Sequence, residues 1–488
     1  MVFNSVEFLI FFPIVLALYF IGNKCKTFRW IMLLIASYYF YISWNADLLY
    51  LILFTTVVSY VAAIVIERSA SRHMRRFWLV VTLVVCLGVL FFFKYFNFLS
   101  DSVVGIMNLF GAGKSKFNLE LILPVGISFY TFQTLSYVID VYRGGIKAEK
   151  HFGYYALFVS FFPQLVAGPI ERPENLLPQL YADHKPNWSD TIEGLRIMII
   201  GFFKKVVVAD LVATYVTAVY NDVENATGLG VLLATVLFAV QIYCDFAGYT
   251  DIAIGCARMM GITLMQNFDR PYIAESIQEF WRRWHISLSS WFKDYIYFPL
   301  GGSRCAKWKN YRNIMIVFLV SGLWHGAAWT YVLWGAIHGA YQVIGKLLKV
   351  PRQKLLALLH VSEDSRGLHM VRRFNTFVLV CFAWIFFRAN SISDLGVLLR
   401  KLFTDWHISD AYIKGTFEGM GLTLIGALIT ILSIFIMNRM DIGKLRLSSG
   451  ESGCVPVFQY AYFVWVIAIA WLLLLVGDGA SSFIYFQF

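Results

Sequence analysis

Long apolar runs recur along the chain and are separated by short stretches rich in charged residues. A run of about 17 to 22 apolar residues is long enough to cross a bilayer once as a helix. The pattern predicts twelve spans, at residues 6–22, 28–44, 46–66, 77–93, 119–142, 194–220, 229–250, 311–329, 330–348, 374–389, 421–437 and 458–476. The chain is therefore predicted to be an all-α polytopic integral membrane protein.

The charges between the runs predict how the chain is threaded. The positive-inside rule places the basic loops on the cytoplasmic side, at 67–76, 143–151, 258–312, 349–373 and 439–447. The acidic segment NDVEN at 221–225 is placed outside. The first run has no basic region before it and no small-residue cleavage site after it, so it is predicted to be retained as a span. Twelve crossings with both termini outside satisfy these assignments.

The segment FGYYALFVSFFPQLVAGPIERP, residues 152–173, does not fit this threading. It is apolar enough to cross, but a crossing there would invert every later loop. Its prolines and Gly168 interrupt a helix repeatedly. We expect a re-entrant or broken helix on the cytoplasmic side, where irregular backbone must be buried in protein or line a cavity.

A second segment, 275–313, mixes aromatic residues with charged ones and gives no clean span. The alternation predicts amphipathic helix lying in or dipping into the cytoplasmic leaflet, ended by Pro299 and Gly301–Gly302. A membrane-surface anchor explains this pattern without any catalytic role.

Composition supports a membrane protein and narrows the function classes. The chain is 59% hydrophobic and 15% charged, whereas soluble domains carry roughly 25% charged residues. The formal net charge is +11, but the cations are concentrated in short loops, which favours membrane orientation over nucleic-acid binding. The seven cysteines show no spacing that indicates a disulfide framework or a metal site.

His325 lies inside the apolar stretch LVSGLWHGAAWTYVLWGAIHGA, residues 319–340. Counted from Arg312 at about 1.5 Å per residue, it would sit roughly 20 Å deep, near the middle of a hydrocarbon layer about 30 Å thick. An ionisable side chain at that depth indicates a functional site. Packing glue between helices is the structural alternative. Gly326, Ala327 and Ala328 leave room for a substrate or for a closely packed helix.

Other polar residues in apolar surroundings give weaker signals. Asp245 and Asp251 can orient a catalytic ring or pair with an arginine, and pairing is the commoner case. His338 is expected to be structural. Lys204 and Lys205 are expected to extend their ammonium groups to the inner interface.

Five long motifs, in this order, resemble the membrane-bound O-acyltransferase family. Within it they are similar to the bacterial branch that acetylates alginate and other polysaccharides. They are LPVGISFYTFQTLSYVIDVYRG (123–144), FFPQLVAGPIERP (161–173), YCDFAGYTDIAIG (243–255), FWRRWHISLSSWFKDYIYFPLGG (280–302) and SGLWHGAAWTYVLWG (321–335). The ending SSFIYFQF (481–488) also looks like that branch.

The resemblance implies helices around a central cavity that is open to both sides of the membrane, within one transmembrane domain, 1–488. Its expected parts are N-terminal helices at 1–118, a catalytic core at 119–345 and C-terminal helices at 346–488. His325 would be the central catalytic residue and His285 the second motif residue. Supporting or orienting roles are expected for Asp245, Asp251 and Trp324.

The expected reaction moves an acetyl group from a cytoplasmic thioester, acetyl-CoA, toward an extracytoplasmic polysaccharide. A histidine titrates near neutrality, so His325 suits general-base catalysis; an acyl-histidine intermediate is an alternative. Coenzyme A phosphates would meet basic residues near His285. These donor-binding residues are Arg282, Arg283, Arg304 and Lys307, with Lys309 beside them. No metal or permanently bound cofactor is expected.

A polysaccharide is too large for a narrow cavity, so the resemblance implies a relay to a separate extracytoplasmic SGNH-like acetyltransferase subunit with its own serine nucleophile. The 481–488 tail is a candidate docking site for it, or an interfacial anchor. The expected location is the bacterial inner membrane. Three alternatives remain at this point: D-alanyl transfer to teichoic acid, a transporter or flippase whose histidine relays protons, and a scaffolding subunit.

Overall fold

The computed structural model describes residues 1–111, 113, 115, 117–166, 168–407 and 409–448. The predicted span 458–476, the 481–488 tail and Cys454 lie outside the described residues. Every long regular element within the described ranges is a helix. The α-helices are α1 Val6–Ile21, α2 Lys26–Ile42, α3 Leu49–Arg68, α4 Arg72–Leu109, α5 Ile127–Arg143, α6 Phe152–Ser160, α7 Phe162–Leu165, α8 Pro173–Tyr181, α9 Trp188–Phe202, α10 Asp210–Tyr220, α11 Gly228–Met259, α12 Ile277–Arg283, α13 Ile286–Phe292, α14 Lys307–His325, α15 Trp329–Leu347, α16 Lys349–Leu358, α17 Arg366–Arg388, α18 Ile392–Thr404, α19 Asp410–Gly419 and α20 Leu424–Ser448.

Helices occupy the other eleven predicted span positions. Within the described ranges, five helical stretches are long and apolar enough to cross a membrane, which confirms a multi-pass topology in general form. They are Ala46–Arg68, Arg72–Leu109, Gly228–Met259, Arg366–Arg388 and Leu424–Asp441. The full number of crossings stays a prediction.

Several predicted boundaries differ from the observed ones for local reasons. The span predicted at 119–142 begins as a helix only at Ile127, because Pro124 cannot continue a helix and Gly126 has a φ of +74°. The loop predicted to begin at 439 is still part of α20. The first helix after Gly302 ends at His325, not at 329.

The described chain forms two compact units, Met1–Met198 with Tyr249–Met265, and Ile199–Gly248 with the described residues from Gln266 onward. In the first unit, α3 packs on α4 and α5, and α2 packs on α6. The predicted break in 152–173 is confirmed: α6 ends at Ser160 and the short α7 follows. The side-chain amides of Gln133 and Gln164 donate to the Phe158 carbonyl, at 2.7 and 2.8 Å. The break is thus buried in protein, and the Phe158 carbonyl beside it is satisfied by side chains.

Glu171, at the end of this broken segment, is fully buried. Its Oε1 accepts a hydrogen bond from the Met265 backbone N–H at 2.5 Å, and its Oε2 accepts one from Asn175 Nδ2 at 2.7 Å. Burial raises the pKa of Glu171 to about 7, against the opposing effect of these hydrogen bonds. The carboxyl group therefore ties the segment before α8 to the chain after α11, within the first unit.

In the second unit, α14 and α15 form a tight antiparallel pair that also contacts α17. Small residues allow the close approach: a Cβ on Gly322 would lie 2.3 Å from the Tyr331 carbonyl oxygen, and one on Gly335 would lie 2.3 Å from the Phe318 carbonyl oxygen. Such contacts are typical of helix pairs in membranes. They fix the end of α14, where His325 lies.

Candidate active site

His285 is held at a sharp turn between two short helices. Ser276 begins α12 by accepting a hydrogen bond from the Glu279 N–H at 3.1 Å. The helix ends at Arg283, and His285 then adopts φ +44° before α13 begins at Ile286. The predicted amphipathic helix of 275–313 is therefore two short helices and a π-helical turn, Lys293–Tyr297, rather than one long helix. A non-glycine residue with positive φ is uncommon and often marks a functional site.

Asn267 fixes the orientation of the His285 ring. Its Oδ1 accepts from the Ser287 N–H at 3.2 Å and from Ser287 Oγ at 2.9 Å, and it lies 3.1 Å from His285 Nδ1. Because Oδ1 is an acceptor, the proton of the neutral imidazole is on Nδ1 and the lone pair is on Nε2. Asn267 was not among the residues predicted from the sequence.

His325 is the last residue of α14 and is 3% exposed. The chain then extends through Gly326, where an added Cβ would lie 2.1 Å from the Tyr331 ring. Gly326 thus serves close packing, one of the two uses expected for the small residues after His325. Aromatic rings surround His325: the centroids of Trp324, Trp334 and Phe387 lie 5.0, 5.0 and 5.4 Å from its own.

The fold brings the two histidines together. Their ring centroids are 6.4 Å apart, and His285 is fully buried. Trp324 contacts both imidazoles, since its ring centroid is 5.8 Å from that of His285 and 5.0 Å from that of His325. The Phe246 ring covers His285 edge-on at 4.7 Å. The result is an imidazole pair enclosed by aromatic side chains, as acid–base chemistry away from bulk water requires.

His338 lies outside this pair. It is fully buried, and its Nδ1 accepts a hydrogen bond from Trp281 Nε1 at 3.2 Å. Its ring packs on Trp334 with the centroids 5.0 Å apart, and the Trp334 ring also contacts His325. This environment agrees with the structural role expected for His338.

Asp245 forms a buried ion pair. Its Oδ1 lies 2.5 Å from Lys205 Nζ, which also lies 2.9 Å from Asp210 Oδ1. Lys204 Nζ lies 2.5 Å from Asp441 Oδ1. The two lysines are 2–3% exposed, so the expectation that they reach the membrane interface is wrong. A carboxylate within reach of each ammonium group makes burial tolerable.

The lysines lie on a π-helical turn, Phe203–Ala209, between α9 and α10. Such turns are frequent at functional sites. The network continues to α11, because the Tyr243 hydroxyl donates to Asp441 Oδ2 at 2.7 Å. Phe246, which covers His285, is the residue after Asp245. Asp245, in an otherwise apolar span, was the available sequence signal for this network, whereas Asp441 falls in the segment 439–447 that was predicted to be a basic loop. Asp251, further along α11, is buried and belongs to the first unit.

The predicted donor-binding residues fall into two groups. Arg282, Arg304, Lys307 and Lys309 are exposed. Arg283 is engaged within the protein: its Nη1 lies 2.8 Å from Asp269 Oδ2 and its Nε lies 2.9 Å from Glu279 Oε1. The exposed cations can meet an anionic ligand without breaking an internal pair.

A separate apolar cavity of about 700 Å³ lies among α11, α17, α18, α19 and α20. Leu232, Phe377, Cys381 and Ile431 are among its lining residues, which include neither histidine. The imidazole pair is a closed cluster of side chains, not part of that cavity.

Comparison with known proteins identifies the family. The model of the membrane-bound O-acyltransferase family matches residues 146–355, which contain both histidines. The chain is 36% identical to the probable alginate O-acetylase of Pseudomonas putida over 507 aligned residues, covering 100% of both chains. The chain belongs to the membrane-bound O-acyltransferase family.

Other members of the membrane-bound O-acyltransferase family are similar over most of their length. The probable alginate O-acetylase of Pseudomonas aeruginosa is 40% identical over 415 residues, covering 84% of this chain and 76% of the relative. The peptidoglycan O-acetyltransferase of Helicobacter pylori is 35% identical, covering 82% of this chain and 80% of the relative. The protein is thus a multi-pass membrane O-acyltransferase.

Proposed function

We propose that this enzyme transfers an acetyl group from acetyl-CoA on the cytoplasmic side toward the hydroxyl groups of an extracytoplasmic polysaccharide. The observation that carries the proposal is the buried His285–His325 pair, with ring centroids 6.4 Å apart. The relatives are named as an alginate O-acetylase and a peptidoglycan O-acetyltransferase. These names support acetyl as the transferred group and a polysaccharide as the acceptor.

In the proposed step, His325 accepts the proton of the attacking hydroxyl, the serine of the SGNH-like subunit, as the serine oxygen bonds to the thioester carbonyl carbon. The tetrahedral intermediate then breaks its carbon–sulfur bond, and the thiolate takes the proton back from the His325 imidazolium. One ester and one thiol replace one thioester and one alcohol. General-base assistance of this kind contributes about 10²–10⁴ in rate.

His285 is assigned a supporting role beside His325. Since its Nδ1 proton is held by Asn267, its Nε2 presents a lone pair. We assign it to orient the hydroxyl or thiol that reacts at His325. The Trp324 ring contacts both imidazoles, and we assign it to hold their relative position and to exclude water that would hydrolyse the thioester.

The donor is proposed to enter over the exposed cations Arg282, Arg304 and Lys307. Their charge suits the phosphates of coenzyme A. Arg283 is assigned a structural role in this scheme, because Asp269 and Glu279 already bind it. An extracytoplasmic SGNH-like subunit passes the acetyl group on to the polysaccharide. The enzyme itself lies in the inner membrane of a bacterium.

The test uses purified protein in nanodiscs with acetyl-labelled coenzyme A and follows thioester loss and label transfer. We expect the wild type to consume the thioester and His325→Ala to lose at least about 100-fold in kcat. Its thermal melt should stay close to that of the wild type. Label retained on the protein would favour an acyl-histidine relay.

If no thioester is consumed with partner and acceptor present, acetyl-CoA is the wrong donor. A D-alanyl carrier thioester is then the next substrate to assay. If neither donor reacts and His325→Ala impairs transport of a solute or lipid, the protein would be a transporter. A folded His325→Ala that retains full function would leave only a scaffolding role.

A further inference from the structure

Helix α16, Lys349–Leu358, packs against no core. The structure describes all of its residues, and none of them is buried. Val350, Leu355 and Leu358 are 57%, 53% and 74% exposed. Isolated helices of this length are marginal in water, so a helix with exposed leucines needs a surface to cover them.

The order of residues in α16 makes it amphipathic in a particular way. At 100° per residue, Pro351, Leu355 and Leu358 fall on one face. Lys349, Gln353 and the half-buried Leu356 fall on the opposite face. Arg352 and Lys354 border the apolar face on its two sides, where long cationic side chains can extend upward from an apolar layer.

Charge and position indicate what the surface is. Residues 346–373 contain seven Lys or Arg residues and only two acidic ones, Glu363 and Asp364. The segment directly precedes α17, Arg366–Arg388, which is one of the helices able to cross a membrane. A basic amphipathic helix beside a membrane span is the pattern expected for binding anionic phospholipid headgroups.

We propose that α16 lies in the plane of the bilayer and binds anionic phospholipid headgroups through Arg352 and Lys354, the two cations that border its leucine face. Its leucine face would enter the boundary between headgroups and acyl chains. Each cation near an anionic surface strengthens binding by about fivefold. The helix thereby anchors the start of α17 at a fixed depth. This inference does not depend on the proposed donor or acceptor.

The test measures hydrogen exchange of the 349–358 amides in the full-length protein. One set of nanodiscs contains phosphatidylcholine alone, and the other contains phosphatidylglycerol as well. We expect exchange at least about tenfold slower with phosphatidylglycerol, and expect 0.5 M NaCl to remove most of the difference, because salt screens exposed charges. Equal exchange in the two lipids would overturn the proposal.

Variants and a soluble anion complete the design. Replacing Arg352 and Lys354 together by Gln should abolish the lipid dependence. Lys414→Gln, at an exposed position on α19, should keep it. Protection by inorganic phosphate in phosphatidylcholine discs would identify a soluble anion site instead and overturn the lipid assignment. The lipid and salt comparisons use the unchanged protein, so they test the proposal even if the double variant fails to fold.

Discussion

Asn267 Oδ1 lies 3.1 Å from His285 Nδ1 and also accepts two hydrogen bonds from Ser287. One amide oxygen therefore sets both the turn before α13 and the tautomer of the second motif histidine. This relationship gives the His285 ring a defined orientation, and in the proposed mechanism it makes Asn267 a positioning residue that can be tested separately from the histidines.

Replacing Asn267 by Ala should lower kcat by about 10- to 100-fold with little change in KM. The substrate contacts would remain, but the His285 ring would lose the acceptor that fixes it. Asn267→Asp keeps an oxygen acceptor and should recover much of the activity. Steady-state kinetics of acetyl transfer measure both variants. A KM increase at constant kcat, or equal losses in the two variants, would contradict the positioning role.

Gly335→Ala should impair both stability and activity, because its Cβ would lie 2.3 Å from the backbone oxygen of Phe318. The α14–α15 pair would have to separate, and His325 at the end of α14 would shift. A 1 Å misplacement of a catalytic group can cost on the order of 100-fold in rate. Gly345→Ala on the same helix is the matched control, since nothing lies within 4 Å of its added Cβ. Similar thermal melts and activities for the two variants would contradict this packing argument.

Lys204→Met should destabilise the protein by about 3–5 kcal/mol, because Asp441 would remain buried without its cation. The double variant Lys204→Met with Asp441→Asn should recover most of this loss, as the amide oxygen can still accept from Tyr243. Chemical denaturation in detergent measures the cycle. Lys414→Met removes an exposed ion pair with Glu418 and should change stability by less than about 1 kcal/mol. Additive losses in the buried cycle would show that the two residues are not coupled.

Stability should fall between about pH 5 and pH 8 because of Glu171. Its pKa in the folded protein is about 7, raised by burial from the ordinary 4.5. The folded state thus binds the proton more tightly than the unfolded state. The stabilising effect is complete below pH 4.5 and is lost as the pH rises through 7, by on the order of 3 kcal/mol.

Glu171→Gln should flatten this dependence, because the amide stays neutral and still accepts from the Met265 N–H. Thermal melts from pH 5 to pH 8 measure the effect. Glu174→Gln, an exposed neighbour, should leave the slope as it is in the wild type. A slope that persists in Glu171→Gln would assign the titration to another group.

Removing the exposed cations Arg282, Arg304 and Lys307 together, by substitution with Gln, should raise the KM for acetyl-CoA with little change in kcat. These side chains are assigned to the donor's phosphates and not to the reacting carbonyl. The KM of the wild type should also rise with salt. If a donor without the nucleotide phosphates responds equally to the triple substitution, the phosphate contact is ruled out.

The sequence by itself determined that this is a helical membrane protein, and it predicted His285 and His325 as the candidate catalytic residues. Apolar runs predict helices here because each run must be covered by lipid or protein along its whole length. The interruption at 152–173 could be predicted because proline and glycine break a helix through local backbone effects. The motifs around His285 and His325 carried the family, which the full-length similarity to known acyltransferases confirms.

Only the tertiary structure decided how polar groups are paired. Lys205 pairs with Asp245 and Lys204 pairs with Asp441, in each case between different helical segments. Asn267 contacts His285 across a turn. No local pattern encodes such partners, because a buried charge is tolerated wherever the fold supplies its counter-charge. The distance between the two imidazoles likewise follows from the close packing of α14 and α15 and the turn at His285, which depend on contacts distant in sequence.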